Sequence, residues 1–189
     1  MIFRRPDQRI TTMPTGYLSH CAGCPYECGK HLSSHHLATR STPLSMEKNG
    51  GNILLVFQSP GIEEWSTGRP VSGISRGSVG ARLESAFADL KKSRSDFDIT
   101  NCVQCFPGKR LDADQPRPRD QAVRANARRK CAEWLRLDLE SSEYRKIVVF
   151  GAVAKKTIQE LNPSAASLVQ YLAHPSAGLS NAALREAIV

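Results

Sequence analysis

The run Ile53-Leu54-Leu55-Val56-Phe57 constrains the fold of this chain more than any other stretch. It is short and continuously apolar, with Gly51-Asn52 before it and Pro60-Gly61 after it. That pattern belongs to a strand buried on both faces, and such strands occur in parallel sheets covered by helices.

The remaining periodicity repeats the theme. Ser78 can cap a helix on which Val79, Leu83, Phe87 and Leu90 recur at three- and four-residue spacing. Residues 97–103 read as a second strand, and a basic helix over 124–139 places Val123, Ala127, Cys131 and Leu135 on one face. Lys146–Phe150 is the third strand, closed by Gly151, and its helix over 153–161 stops at Asn162-Pro163. A fourth strand over 168–173 precedes a last helix capped by Ser180 or Asn181. Alternating strands and helices predict a three-layer α/β/α sandwich around a central four-stranded parallel sheet with right-handed crossovers. Residues 1–52, rich in Ser, Thr, His, Gly and Pro, read as an irregular segment wrapped on an α/β domain over 53–189.

Open parallel sheets bind ligands beyond the carboxyl ends of their strands. Here those ends carry Gln58-Ser59-Pro60-Gly61, then Asn101, then Gly151, then His174-Pro175-Ser176. An amide, a hydroxyl, an imidazole and glycine turns suit a neutral planar heterocycle better than a nucleoside triphosphate. Asn101 and His174 are expected to be brought by neighbouring strands to face one ligand.

Twenty-six Lys and Arg against 18 Asp and Glu give a formal charge of +8, which draws a polyanion such as DNA or RNA. The first residues, MIFRRPDQRITTMPTGY, hold no apolar stretch of secretory-signal length, and no later run approaches a bilayer span, so a cytoplasmic location without membrane contact is expected. In a reducing compartment the six cysteines are better read as metal ligands or buried thiols than as disulfides.

Cys21 and Cys24 form one Cys-x-x-Cys pair with Cys28 close behind, Cys102 and Cys105 form a second, and Cys131 lies on the basic helix. A zinc site from both pairs requires the chain to turn between Cys102 and Cys105, because residues three apart on a strand face opposite ways. A cluster held by Cys21, Cys24, Cys105 and Cys131 instead ties the N-terminal loop to a strand end and a helix, a dispersal that iron-sulfur ligation accepts. His20, His31, His35 and His36 offer a mixed-ligand zinc alternative.

These residues together resemble the uracil-DNA glycosylase superfamily, in particular the family 4 type that carries a four-iron, four-sulfur cluster. Ser59-Pro60-Gly61-Ile62-Glu63-Glu64-Trp65-Ser66-Thr67-Gly68-Arg69-Pro70 is similar to the family's first motif and its Gly-Arg-Pro segment. Ile99-Thr100-Asn101 followed by Cys105 resembles the second motif, Cys131-Ala132-Glu133-Trp134-Leu135 the helix with the fourth cluster cysteine, and His174-Pro175-Ser176 the closing motif. The resemblance implies a DNA glycosylase that hydrolyses the N-glycosidic bond of uracil or a related deaminated base after flipping the nucleotide out of the stack, acting as a monomer. It implies a 4Fe-4S cluster on Cys21, Cys24, Cys105 and Cys131. In that reading Asn101 reads the base edge and His174 stabilises the departing base. Gln58 and Ser59 add contacts and place the water, and Gly61, Val71 and Trp65 border the base. Two positions depart from the family: Phe57-Gln58 stands where Gly-Glu precedes the Ala-Pro-Gly turn, and Val71 stands where a phenylalanine stacks on the base. Trp65 or Phe57 is the candidate substitute for that platform. The departures motivate the alternative of a non-catalytic, DNA-binding or damage-sensing relative with the same cluster. The segment 117–130 adds a basic stretch that can meet phosphates.

Overall fold

A computed structural model describes residues 21–27, 32, 42–108, 121–161, 163 and 166–189, with the side chains of 121–123 excepted. Cys28, His20, His31, His35, His36, most of the 1–52 segment, residues 117–120 of the basic stretch and the Val123 side chain therefore lie outside the described residues.

The chain runs β1 (Ile53–Phe57), α1 (Ile62–Thr67), α2 (Val79–Asp89), β2 (Asp98–Asn101), α3 (Gln121–Glu140), β3 (Lys146–Phe150), α4 (Ala152–Leu161), β4 (Val169–Leu172) and α5 (Asn181–Ala187). The four strands form one sheet in the order β2-β1-β3-β4, and every pair is parallel. The chain steps from β1 outward to β2, returns across β1 to β3 and continues to β4, so the strand order reverses between β1 and β3.

The continuous apolar runs are explained by two covered faces. Ile53, Leu55 and Phe57 join Val148 and Phe150 in a core with Leu83, Ala86 and Phe87 of α2 and Leu184 and Ala187 of α5. Leu54 and Val56 join Ile147 and Val149 in a second core with Leu135 and Leu139 of α3 and Ala154 and Ile158 of α4. Period-two alternation thus splits each strand between two helical layers. Each fully buried large side chain contributes roughly 1.5–3 kcal/mol, and Phe57 stacks on Phe150 with ring centroids 4.6 Å apart.

Ser78 caps α2 by accepting the Ala81 N–H, and Ser180 caps α5 by accepting that of Ala183. β2 is shorter than the pattern of 97–103 suggests. Its last residue, Asn101, is in register with Phe57, where β1 ends, and beyond it the chain bends while Cys102 and Val103 still donate to the Phe57 and Gln58 carbonyls. At the opposite edge Asp98 Oδ1 accepts the N–H groups of Asn49, Gly50 and Gly51 at 2.7, 2.9 and 3.2 Å. Glu47 forms an antiparallel bridge with Ile99, which seats residues 47–51 on the sheet.

Candidate active site

Beyond the carboxyl ends of β1, β3 and β4, at the reversal of strand order, lies a cavity of about 530 Å³. Gln58, Ser59, Pro60 and Gly61 line it from the turn after β1, Val153 from the start of α4, and His174 and Ser176 from the loop after β4. The β1 turn is held open to it because α1 starts immediately: the Gly61 carbonyl accepts the Trp65 N–H at 3.0 Å. Of the expected site residues, Gln58, Ser59, Gly61, Val71 and His174 all border this one space.

His174 is half-buried, and burial lowers the pKa of its imidazole, which favours the neutral form. Its Nδ1 accepts the Ser176 backbone N–H at 3.3 Å and lies 2.7 Å from Ser176 Oγ. A neutral ring that accepts at Nδ1 carries its proton on Nε2. The imidazole is therefore a set hydrogen-bond donor at the cavity wall. Phe57 meets it edge-on at 6.5 Å. On its other side stands Gly151, with φ of +90°, where an added Cβ would come within 3.1 Å of His174 Cβ. The glycine after β3 is thus needed both for its backbone angle and for the approach of His174.

Asn101 is set back from this lining. It is 2% exposed, and neither its Nδ2 nor its Oδ1 has a partner. A buried polar group left unpaired costs about 1–3 kcal/mol, so this amide is an unused donor and acceptor beside Phe57, its register partner. The expectation that Asn101 and His174 sit on neighbouring strands is corrected: β2 and β4 are the outer strands, with β1 and β3 between them. At about 4.8 Å per strand their ends are roughly 14 Å apart, and only the loop after β4 brings His174 toward the centre.

Trp65 also differs from expectation. It is fully buried in a third core cluster with the cysteines and does not line the cavity. The reason is helical spacing: on α1, Trp65 lies three residues beyond Ile62, and both pack on that cluster. The aromatic residues that do line the cavity are Phe57, Tyr26 and Phe106. Tyr26 and Phe106 escaped the sequence reading because neither lies in a periodic element. The available signal was adjacency, since each follows a cysteine closely, Cys24 and Cys105 respectively.

Val71 has a φ of +50°, in the left-handed region that a β-branched residue adopts only under constraint. The constraint is Arg94, 7% exposed, which donates to the carbonyls of Pro70 and Val71 and pairs with Glu47 at 2.7 Å. Arg69 of the Gly-Arg-Pro segment pairs with the same Glu47 at 2.6 Å. Arg124 of α3 is the cation in the cavity lining.

The described cysteines divide between two compartments. Cys24, Cys105 and Cys131 pack together with Tyr26, Trp65 and Phe106, and the carbonyl of buried Cys21 accepts the Cys24 N–H at 2.9 Å. A hydrogen bond from the Cys131 thiol, outweighing burial, lowers Cys24 to about 7, and the same bond together with burial pushes Cys131 up. Two thiols so paired offer adjacent soft donors, the ligand type that thiophilic metals take. Cys102 belongs to the other core, against Leu54, Val56 and Leu135, where burial pushes its thiol up to about 12. Cys102 and Cys105 thus pack in different clusters. Among the described residues no three Cys, His, Asp or Glu side chains converge as a shell for a single metal ion. By donor chemistry the four thiols Cys21, Cys24, Cys105 and Cys131 fit a thiolate-held group, with Cys102 outside it.

A family model described as the uracil DNA glycosylase superfamily matches residues 47–188, most of the chain. No curated protein matched it.

Proposed function

Because the chain belongs to the uracil-DNA glycosylase superfamily, we propose that it is a DNA glycosylase that hydrolyses the N-glycosidic bond of uracil or a related deaminated base in DNA. The observation that carries this reading is the His174 imidazole, held at the wall of a cavity of about 530 Å³ with Nδ1 occupied and Nε2 left as a donor. In the reaction the bond from the sugar C1′ to the base nitrogen breaks, the electron pair leaves with the base, and a water oxygen adds to C1′, its surplus proton ending on the released base. The Nε2–H group would stabilise the anionic charge gathering on the base oxygen, a preorganised donor that needs no proton transfer in the transition state. Gln58, whose carbonyl is fixed by the Val103 N–H at 2.9 Å, and Ser59 would orient the water.

The unpaired amide of Asn101 supports its role in reading the base edge, since a pyrimidine or deaminated purine offers both a donor and an acceptor. Phe57, Tyr26 and Phe106 are the available stacking surfaces, and a base-aromatic contact contributes about 1–3 kcal/mol. Those aromatic residues stand in for the platform that Val71 lacks. Cys21, Cys24, Cys105 and Cys131 would hold a 4Fe-4S cluster, whose part is structural: it would fix Tyr26 and Phe106 at the cavity wall. No helix among the described residues is long and apolar enough to cross a membrane.

The test is incubation with oligonucleotides carrying uracil, hypoxanthine or xanthine, followed by alkaline cleavage of abasic sites. Excision of one of them by the wild-type protein and its loss in His174→Gln is the expected result. Tight oligonucleotide binding with no cleavage on any lesion would overturn the catalytic reading in favour of a damage-binding relative.

A further inference from the structure

The loop that carries His174 has apolar packing only at its ends, where Leu179 joins the core formed with α2 and α5. Between Pro175 and Leu179, both buried, residues 176–178 are exposed, and Gly178 has a φ of +92° with no atom near its missing Cβ. Inside the loop, the Ala177 N–H donates to the His174 carbonyl at 2.8 Å, and the other contacts are those of Ser176 with His174 Nδ1. Loops so constituted drift unless something outside them supplies the anchor.

That anchor is Arg82 on α2. One terminal nitrogen, Nη1, donates to the Pro175 carbonyl. The other, Nη2, donates to the Leu179 carbonyl at 2.5 Å and to Asn181 Oδ1 at 2.7 Å, while Nε donates to the same Asn181 oxygen at 3.0 Å. A single planar guanidinium thus spans both ends of the His174 loop and the first residue of α5. It pairs with no carboxylate among the described residues, so its donors are committed to the loop. Pro175 sits between His174 and Ser176, the residue whose N–H fixes Nδ1, so the carbonyl that Arg82 holds lies inside the unit that sets the imidazole tautomer.

We propose that Arg82 is the positioning residue for His174: by bracing Pro175 and Leu179 it holds the Ser176 N–H on Nδ1 and thereby keeps the proton on Nε2. The proposal rests on the glycosylase reading for its catalytic consequence, but not for its structural one. A planar fork is required, since the compact ammonium of lysine cannot reach both carbonyls at once.

The experiment compares wild type, Arg82→Met, Arg82→Lys and Asn181→Ala by three measurements: the single-turnover rate on a uracil-containing oligonucleotide, the Kd for that oligonucleotide, and the ¹⁵N NMR signals of the His174 imidazole. Misplacing a reacting group by about 1 Å costs on the order of 100-fold in rate, so Arg82→Met should lose about that much with Kd nearly unchanged. Its imidazole signals should move from the Nε2–H form toward a tautomer mixture, with Arg82→Lys restoring them only in part. Unchanged imidazole signals in Arg82→Met overturn the proposal, as does a slower rate accompanied by a wild-type tautomer. If Arg82→Met fails to fold, Asn181→Ala decides: it removes one acceptor and should shift the same signals by a smaller amount, and no shift refutes the brace. Should wild type excise nothing, the glycosylase reading fails while the NMR comparison still judges Arg82.

Discussion

Gly151→Ala isolates the contact on which the candidate chemistry depends. Two effects are introduced at once. A Cβ at φ of +90° imposes a backbone conformation that costs an L-residue about 1–2 kcal/mol. The new carbon would also lie 3.1 Å from His174 Cβ and 3.4 Å from the ring Cδ2, against about 3.5–4.0 Å for relaxed carbon contacts. His174 must therefore retreat by roughly 0.5 Å or more, and at about 100-fold per ångström of misplacement the rate should fall at least 10-fold. Gly50→Ala is the matched control. Its φ is +81°, no atom lies within 4 Å of the added carbon, and it sits before β1, at the edge of the sheet away from the cavity. Both variants should lose stability through the backbone angle, Gly151→Ala the more because of its added contact, at about 2–4 °C of Tm per kcal/mol for a chain of this size. Only Gly151→Ala should slow single-turnover excision. If its rate stays within twofold of the Gly50→Ala rate, His174 is not held against Gly151 in the reacting enzyme and the assignment of that contact is wrong.

Two further outcomes follow from the site. Burial holds the His174 pKa below the ordinary value near 6.5, so the neutral donor should persist as pH falls through 6.5 and excision should decline only at lower pH; stability shares the direction, because the unfolded chain binds the proton first and folding loses free energy as pH drops through 6.5 toward the native pKa. Anaerobically prepared protein should contain iron and absorb broadly near 400 nm, a region approximate for thiolate-bound clusters; Cys131→Ala should lose both and raise KM through the displaced Tyr26 and Phe106, whereas Cys102→Ser, altered in the other core, should keep both, as iron analysis and absorption spectra will show.

Much of the architecture was legible in local pattern. β1 and β3 were readable to the residue because a strand covered on both faces leaves an uninterrupted apolar signature, and Ser78 announced its helix by the side-chain oxygen that caps it, whereas of the two caps open for the last helix, Ser180 and Asn181, the structure uses Ser180. The edge strands were less sharp: β4 is half-buried along its length, and β2 ends where its partner ends rather than where its own sequence changes. At the site, Gln58, Ser59, Gly61 and His174 could be named in advance because the carboxyl ends of parallel strands are a fixed consequence of topology. Trp65 could not be placed, since a six-residue helix presents apolar residues to whichever neighbour arrives, and that neighbour is the cysteine cluster.

What the amino-acid order by itself determined was therefore the set of elements, their parallel arrangement and the chemical groups delivered to one edge of the sheet. Tertiary structure alone decided which of those groups meet. The strand order put β1 and β3 between Asn101 and His174, the Arg94 guanidinium fixed the carbonyls of Pro70 and Val71 where Val71 takes a left-handed angle, and the bend after β2 placed Cys102 in the core with Leu135 and Cys105 in the cluster with Cys131. Each of these outcomes depends on contacts between residues 20 to 100 positions apart, in which burial and hydrogen-bond satisfaction are settled by partners that no local window contains.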